Sequence, residues 1–301
     1  MDIVSKRNPI TPRVLVNRIW LHHFGEGLVT SPDDFGMRSE PPSHPELLDY
    51  LALRIEEDGW SIKKMHRLIM LSSVYQESCA NNPRFAQIDP DNRLLWRANI
   101  RRLEFEALRD SLLAIGGDLD STMYGRPVDI ESEPFSTRRS IYGFIDRSDV
   151  ADVLVNFDFA NPDLPTGLRH DTTVPQQALF LMNSPLVIEQ AKRLVALPEF
   201  QACSDDEARI AFLYRRVFQR PPRPEEIKLG SEFVAAAPEA DKASAPDLEL
   251  QPISNQPERP RPFGAPGRKG RGANMRKRAP LRAWEEYAHA LLQANETSFV
   301  N

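Results

Sequence analysis

Two adjacent histidines, His22 and His23, are followed shortly by two adjacent carboxylates, Asp33 and Asp34, and then by Arg38, Glu40 and His44. Imidazole and carboxylate together can ligate zinc or iron, or trade protons near neutral pH. Neighbours on a helix point about 100° apart, so His22 and His23 cannot both face one metal; the efficient spacing is i, i+4. His23 could still join Asp34 and His44 if the loop between them folds back, and those three are the candidate acid/base set. That loop, Gly25 to His44, is long for a helix connection and rich in Gly and Pro, the kind of segment on which functional residues concentrate. The competing expectation is structural and takes precedence. Histidines packed in a core find a hydrogen-bond partner, one of the aspartates caps a turn, and Arg38 pairs with an aspartate to hold the irregular loop.

A second group comprises Arg138, Arg139, Asp146 and Arg147, with Arg169-His170-Asp171 beyond it. Arginine forks suit carboxylate, phosphate or sulfate, so Arg38, Arg138, Arg139, Arg147 and Arg169 are candidate binders of an anion such as a charged glycan. Acids are equally abundant nearby, and internal ion pairs are the first expectation. No G-x-G-x-x-G, G-x-x-x-x-G-K-[ST], H-E-x-x-H or G-x-S-x-G occurs, so phosphate loops, zincins and nucleophile elbows lack support. Cys79 and Cys203 are the only cysteines and form no C-x-x-C or C-x-x-C-H. That excludes covalently attached haem and a thiol zinc site, and no metal is expected. Asn295-Glu296-Thr297 matches a glycosylation acceptor, a pattern short enough to arise by accident.

The elements that must position these groups are helical. The 301 residues, 41% hydrophobic and 27% charged, suffice for a sizeable core. Thr11-Pro12 opens a helix that ends at Gly25 and is apolar on most sides. Ser43-His44-Pro45-Glu46 reads as a capping box before a second helix, and Ser61 opens a third. A fourth is predicted from Leu103 to Ile115, and "RRSIYGFIDR" (Arg138 to Arg147) is the best strand candidate. Helical signals return at Thr173, Ser184, Asp205 to Phe218 and Pro224. The fold class is therefore mainly α: an irregular multi-helix domain with a small β element near 138–147. A body over 1–237 is followed by a Pro/Arg/Gly-rich insertion over 238–280, too poor in apolar residues to fold. A last helix over 281–301 packs back on the body, sharing one core formed by Trp20, Leu51, Leu68 and Trp284. Between Gln256 and Pro280 lie eight Lys or Arg against one acid, so this segment carries +7 and the remainder −12 of the net −5. Such a segment can bind nucleic acid or anionic surfaces by charge. A solvated insertion is the first expectation, and nucleic acid is not the expected partner. No apolar run reaches the ~18 residues that span a bilayer, and the start has no signal-peptide core, which suggests a domain cut from something longer.

The stretches "NPITPRVLVNRIWLHHFGEGLV", "DDFGMRSEPPSHPELLDYLA", "GWSIKKMHRLIMLSSVYQ" and "TTVPQQALFLMNSP", with the closing Trp284 to Val300 helix, resemble the planctomycete surface domain one family. This is a domain of unknown function found C-terminal to planctomycete-type cytochrome c modules. The resemblance covers Asn8 to about Ala236 and Leu281 to Asn301, and Thr297-Ser298 stand where family members tend to be apolar. It brings no reaction. It implies a helical scaffold or interaction domain of a larger exported, cytochrome-c-associated protein, periplasmic or on the cell surface. Haem c would sit only on an N-terminal module absent here, so no cofactor is expected in this chain, and partners would be other modules of the same protein or co-exported proteins. The alternatives are an enzyme or binding module for anionic polysaccharide, using His23, Asp34, His44 and an arginine, and anionic-surface binding through the basic segment.

Overall fold

The computed structural model of the chain describes Ile3, Ser5, residues 7–238 and residues 280–300. The insertion expected over 238–280 lies outside the described residues except for its two end positions, and so does the basic run within it. Among the described residues there are thirteen α-helices, two 3-10 turns and one pair of two-residue strands, β1 (Arg101–Arg102) and β2 (Phe299–Val300). The protein is mainly α.

The described chain forms two compact units. The first, Met1–Arg101 with Thr166–Leu168 and Val300–Asn301, holds α1 (Ile10–Phe24), α2 (Pro45–Glu57), α3 (Ile62–Met70), a 3-10 turn (Ser73–Gln76) and α4 (Pro83–Ile88). Its core is Val16, Ile19, Trp20 and Phe24 of α1 against Leu48, Leu51 and Ile55 of α2 and Met65 and Ile69 of α3. The second, Arg102–Pro165 with Arg169–Phe299, holds α5 (Phe105–Gly116), a 3-10 turn (Ser140–Tyr142), α6 (Asp152–Asn156), α7 (Pro175–Asn183), α8 (Pro185–Ala196), α9 (Pro198–Gln201), α10 (Asp206–Phe218), α11 (Pro224–Ala236), α12 (Ala283–Leu292) and α13 (Asn295–Ser298). Leu112, Val187, Leu194, Phe200, Leu213, Trp284 and Leu292 are central to its core. Trp20, Leu51 and Leu68 thus pack in the first unit and Trp284 in the second, so the residues expected to share one core are distributed over two.

Six helices begin at a proline: α2, α4, α7, α8, α9 and α11. Proline's fixed φ suits the first helical position, where no intrahelical N–H partner is needed. Ser61 caps α3 as its type predicts, accepting from Lys64 N. Ser43 does not cap α2. Its N–H donates to Leu28 O at 2.8 Å and its hydroxyl meets His44 Nδ1 at 3.0 Å, which closes the loop on Leu28 and leaves His44 at the N-cap without a side-chain cap. Likewise α1 starts at Ile10, where Asn8 Oδ1 accepts from Ile10 N while the Thr11 hydroxyl turns back to Ile3 O. The β element expected near 138–147 takes the form of two isolated parallel bridges, Asp120 to Arg138 and Val128 to Gly143, on either side of the Ser140–Tyr142 turn. The final helix is shorter than its apolar spacing suggests. α12 ends at Leu292, and the buried Thr297 hydroxyl donates back to Leu291 O at 2.8 Å to hold the separate turn α13.

Candidate functional site

The end of α1 sets the geometry around His23. Gly25 adopts φ 85° and its N–H donates to Leu21 O, a left-handed cap that costs a residue with a Cβ far more than glycine. A Cβ there would also lie 2.2 Å from Arg101 Cδ. The Arg101 guanidinium donates to the carbonyls of His22 (3.2 Å) and His23 (3.0 Å), and Asn99 Nδ2 donates to Phe24 O (3.1 Å). Carbonyls left without helical partners are thereby satisfied, and a cation sits at the negative end of the helix dipole. Held this way, His23 turns its ring towards α3. Its Nε2 lies 2.7 Å from His66 Nδ1, and Tyr75 packs edge-on against it with centroids 5.3 Å apart.

Both rings are half-buried. Burial pushes the His23 pKa below its ordinary value, and the positive fields of His66, Arg101 and His22 push it further the same way. A contact of 2.7 Å between ring nitrogens requires one to donate and the other to accept, so at least one ring is neutral. Buried Asn17 braces the loop after α1, accepting from Val29 N at 2.9 Å and donating to Val29 O at 3.1 Å. Neither His66, Arg101 nor Asn17 stands out in the sequence. Each acts through a tertiary contact that helical periodicity does not encode.

The other acid/base candidates have partners of their own. Asp34 Oδ1 accepts from Gly36 N at 2.7 Å and the Ser31 hydroxyl donates to Asp34 O, so this aspartate holds its own turn. His44 meets Ser43. Among the described residues no group of three or more His, Cys, Asp or Glu is arranged to hold a metal ion, and His23, Asp34 and His44 are not brought to one point of that kind. Arg38 is exposed, and its expected ion pair with Asp33 or Asp34 is not among those of the described residues; Glu40 lies 3.8 Å from Arg93.

In the second unit the candidate arginines are engaged by neighbouring groups, Arg138 in the interior and Arg139 and Arg147 on the exposed surface. Arg138 is buried, donates to the carbonyls of Thr122, Tyr124 and Arg126, and stacks 4.2 Å from the Tyr142 ring centroid. Arg139 lies 3.7 Å from Asp110. Arg147 binds Asp163, and Arg169 grips Glu106 with both terminal nitrogens at 2.9 Å while reaching Glu104. Beneath them lies Arg109, 1% exposed, which donates to the carbonyls of Ser136 and Arg138 and to the Ser140 hydroxyl. Asp110 Oδ1 accepts both the N–H and the hydroxyl of Ser140 at 2.7 Å. A charged residue on the inner stripe of α5, one position after Leu108, was the available sequence signal for this anchor. A surface groove of about 560 Å³ beside α10 is lined by Cys203, Ala208, Phe212, Arg215 and Arg216 and holds none of the candidates.

Fold and site together define a helical protein of two compact units whose polar groups serve mainly to lock its loops. The chain belongs to the family described as PSD1, protein of unknown function (DUF1553), whose model matches residues 2–234. No curated protein and no solved structure matches it. No helix among the described residues is long and apolar enough to cross a membrane.

Proposed function

We propose that the chain is a helical scaffold and interaction domain that works within a larger exported protein, beside haem-c-bearing modules. The observation that carries this reading is that side chains an anion or substrate site needs free are already paired within the chain. Arg138 is spent on three backbone carbonyls, Arg147 on Asp163, and Arg169 on Glu104 and Glu106. A guanidinium held by two carboxylates gives up charge-assisted bonds before it can take a ligand. The motif resemblance supplies the haem-associated, exported context. An enzyme using His23, Asp34 and His44 has less support, because each has its own local partner. The test is titration of the purified chain with a planctomycete-type cytochrome c module in an analytical ultracentrifuge. A saturable complex at micromolar concentrations, within the usual reach of transient inter-domain contacts, is expected. No association at roughly a hundred times that level, or release of reducing ends from an anionic polysaccharide by this chain, overturns the reading.

A further inference from the structure

Around the His23 and His66 pair the first unit concentrates groups that are cationic or become so. α1 contributes His22 and His23, α3 contributes His66, and Arg101 lies against the end of α1; Tyr75 of the 3-10 turn covers the pair without adding an acid. The charges acting on His23 are His66, Arg101 and His22, with no carboxylate among them. That is unusual on a chain with 43 Asp and Glu against 38 Lys and Arg. We infer that this cluster binds an oxyanion of the sulfate or carboxylate type and takes up a proton as it does so.

The chemistry follows from the contact itself. At 2.7 Å the two ring nitrogens are satisfied by one shared hydrogen, one donating and the other accepting. A first added proton leaves an imidazolium donating to a neutral imidazole and the contact intact; when solvent protonates the second ring as well, two N–H donors face each other at a separation that suits only a donor and an acceptor. The rings must part, and an oxyanion between them accepts from both in charge-assisted bonds, with Arg101 adding attraction at longer range. No covalent bond forms or breaks, and the only species transferred is the proton. Burial first, and then the positive fields of His66, Arg101 and His22, hold the His23 ring neutral; an anion placed beside it offsets the repulsive part of that. The inference is independent of the scaffold reading, which concerns a protein partner.

The test begins with the wild-type chain. Imidazole resonances of His23 and His66 are titrated by NMR in chloride and again in sulfate at equal ionic strength, and sulfate is expected to raise their pKa values. Calorimetry then compares sodium sulfate with a sulfated oligosaccharide at about pH 5.5 and 7.5, which bracket ordinary histidine titration. A site that takes up one proton loses roughly tenfold in affinity per pH unit above the free pair's pKa, so binding is expected to be at least about tenfold tighter at the lower pH. His23→Gln and His66→Gln should each abolish that dependence. Equal affinity per sulfate in the two arms identifies the small anion as ligand, and tighter oligosaccharide binding identifies a polymer-borne one. The inference fails if neither ligand binds at the lower pH, if affinity is the same at both, or if both variants bind as wild type. Should a variant not fold, histidine pKa values that are the same in chloride and sulfate overturn it alone.

Discussion

Arg109 shows what a charge does inside this protein. Its side chain is inaccessible to solvent, and desolvating a guanidinium costs several kcal/mol unless hydrogen bonds replace the lost water. The replacements are two backbone carbonyls and the Ser140 hydroxyl, with Asp110 3.8 Å away. Burial draws its pKa down to about 10, so it stays charged at neutral pH and acts as a fork on which the irregular 136–140 segment hangs. Arg109→Met keeps the length but leaves two carbonyls without donors, and should cost about 3 kcal/mol, read as a lower urea midpoint with an unchanged slope. Arg109→Lys should recover only part of this, because an ammonium does not match the fork. A wild-type midpoint for Arg109→Met would mean that the carbonyls have other donors. Histidine gives a pH prediction of definite sign. Burial lowers the pKa of His289, whose ring nitrogen lies 3.1 Å from Leu181 O. With a folded pKa below its ordinary value, the neutral ring's contribution is complete above about pH 6.5 and is lost as pH falls below it. Melting temperature should therefore drop between about pH 7 and 5, and His289→Gln should flatten that drop.

At the scale of elements, the contact of α11 with α12 sets two known effects against each other. Gly230 lies mid-helix in α11, where alanine is worth roughly 1 kcal/mol more than glycine by helix propensity alone. A Cβ at that position would lie 2.5 Å from Tyr287 Oη and 2.9 Å from Ile210 Cδ1. Tyr287 and Ile210 are themselves buried and have little room to retreat, so overpacking of about 1–3 kcal/mol should win. Gly230→Ala is expected to melt lower than wild type; an unchanged or higher melting temperature would show that Tyr287 can move. Elements of this kind were readable from the sequence where a local rule sufficed. Prolines opened α2, α7, α8 and α11, Ser61 capped α3, and Gly116-Gly117 closed α5. The capping box at Ser43 failed because a tertiary bond to Leu28 claimed the serine first, and the β element near 138–147 stays at two isolated bridges because Arg109 and Asp110 take up polar groups that a longer ladder would use. The candidate site was legible only in part. His23 could be singled out by type, but its partner His66 lies 43 positions away, and Arg101 further still, at distances no repeat pattern spans.

Among the described residues the two compact units each bury a main cluster of their own, which the run of apolar helices did not announce. An amphipathic helix shows that it buries one face; it does not show against which neighbour, so the first three helices and α12 read equally well as parts of one bundle. In the structure Ile55 is fully buried among α1, α2 and α3, and Leu194 is fully buried beside α5 and α12. Truncating either to alanine should cost about 2–5 kcal/mol, the transfer loss plus the cavity left behind. Because each side chain belongs to a separate cluster, the loss should appear first in its own unit as a sub-global opening. Hydrogen exchange followed by mass spectrometry should show Ile55→Ala speeding the amides of α1, α2 and α3 while α8 and α12 keep wild-type protection, and Leu194→Ala doing the reverse. Acceleration of both sets to the same extent in either variant would show that the two clusters open as one cooperative body, and the division into units would then have no energetic meaning.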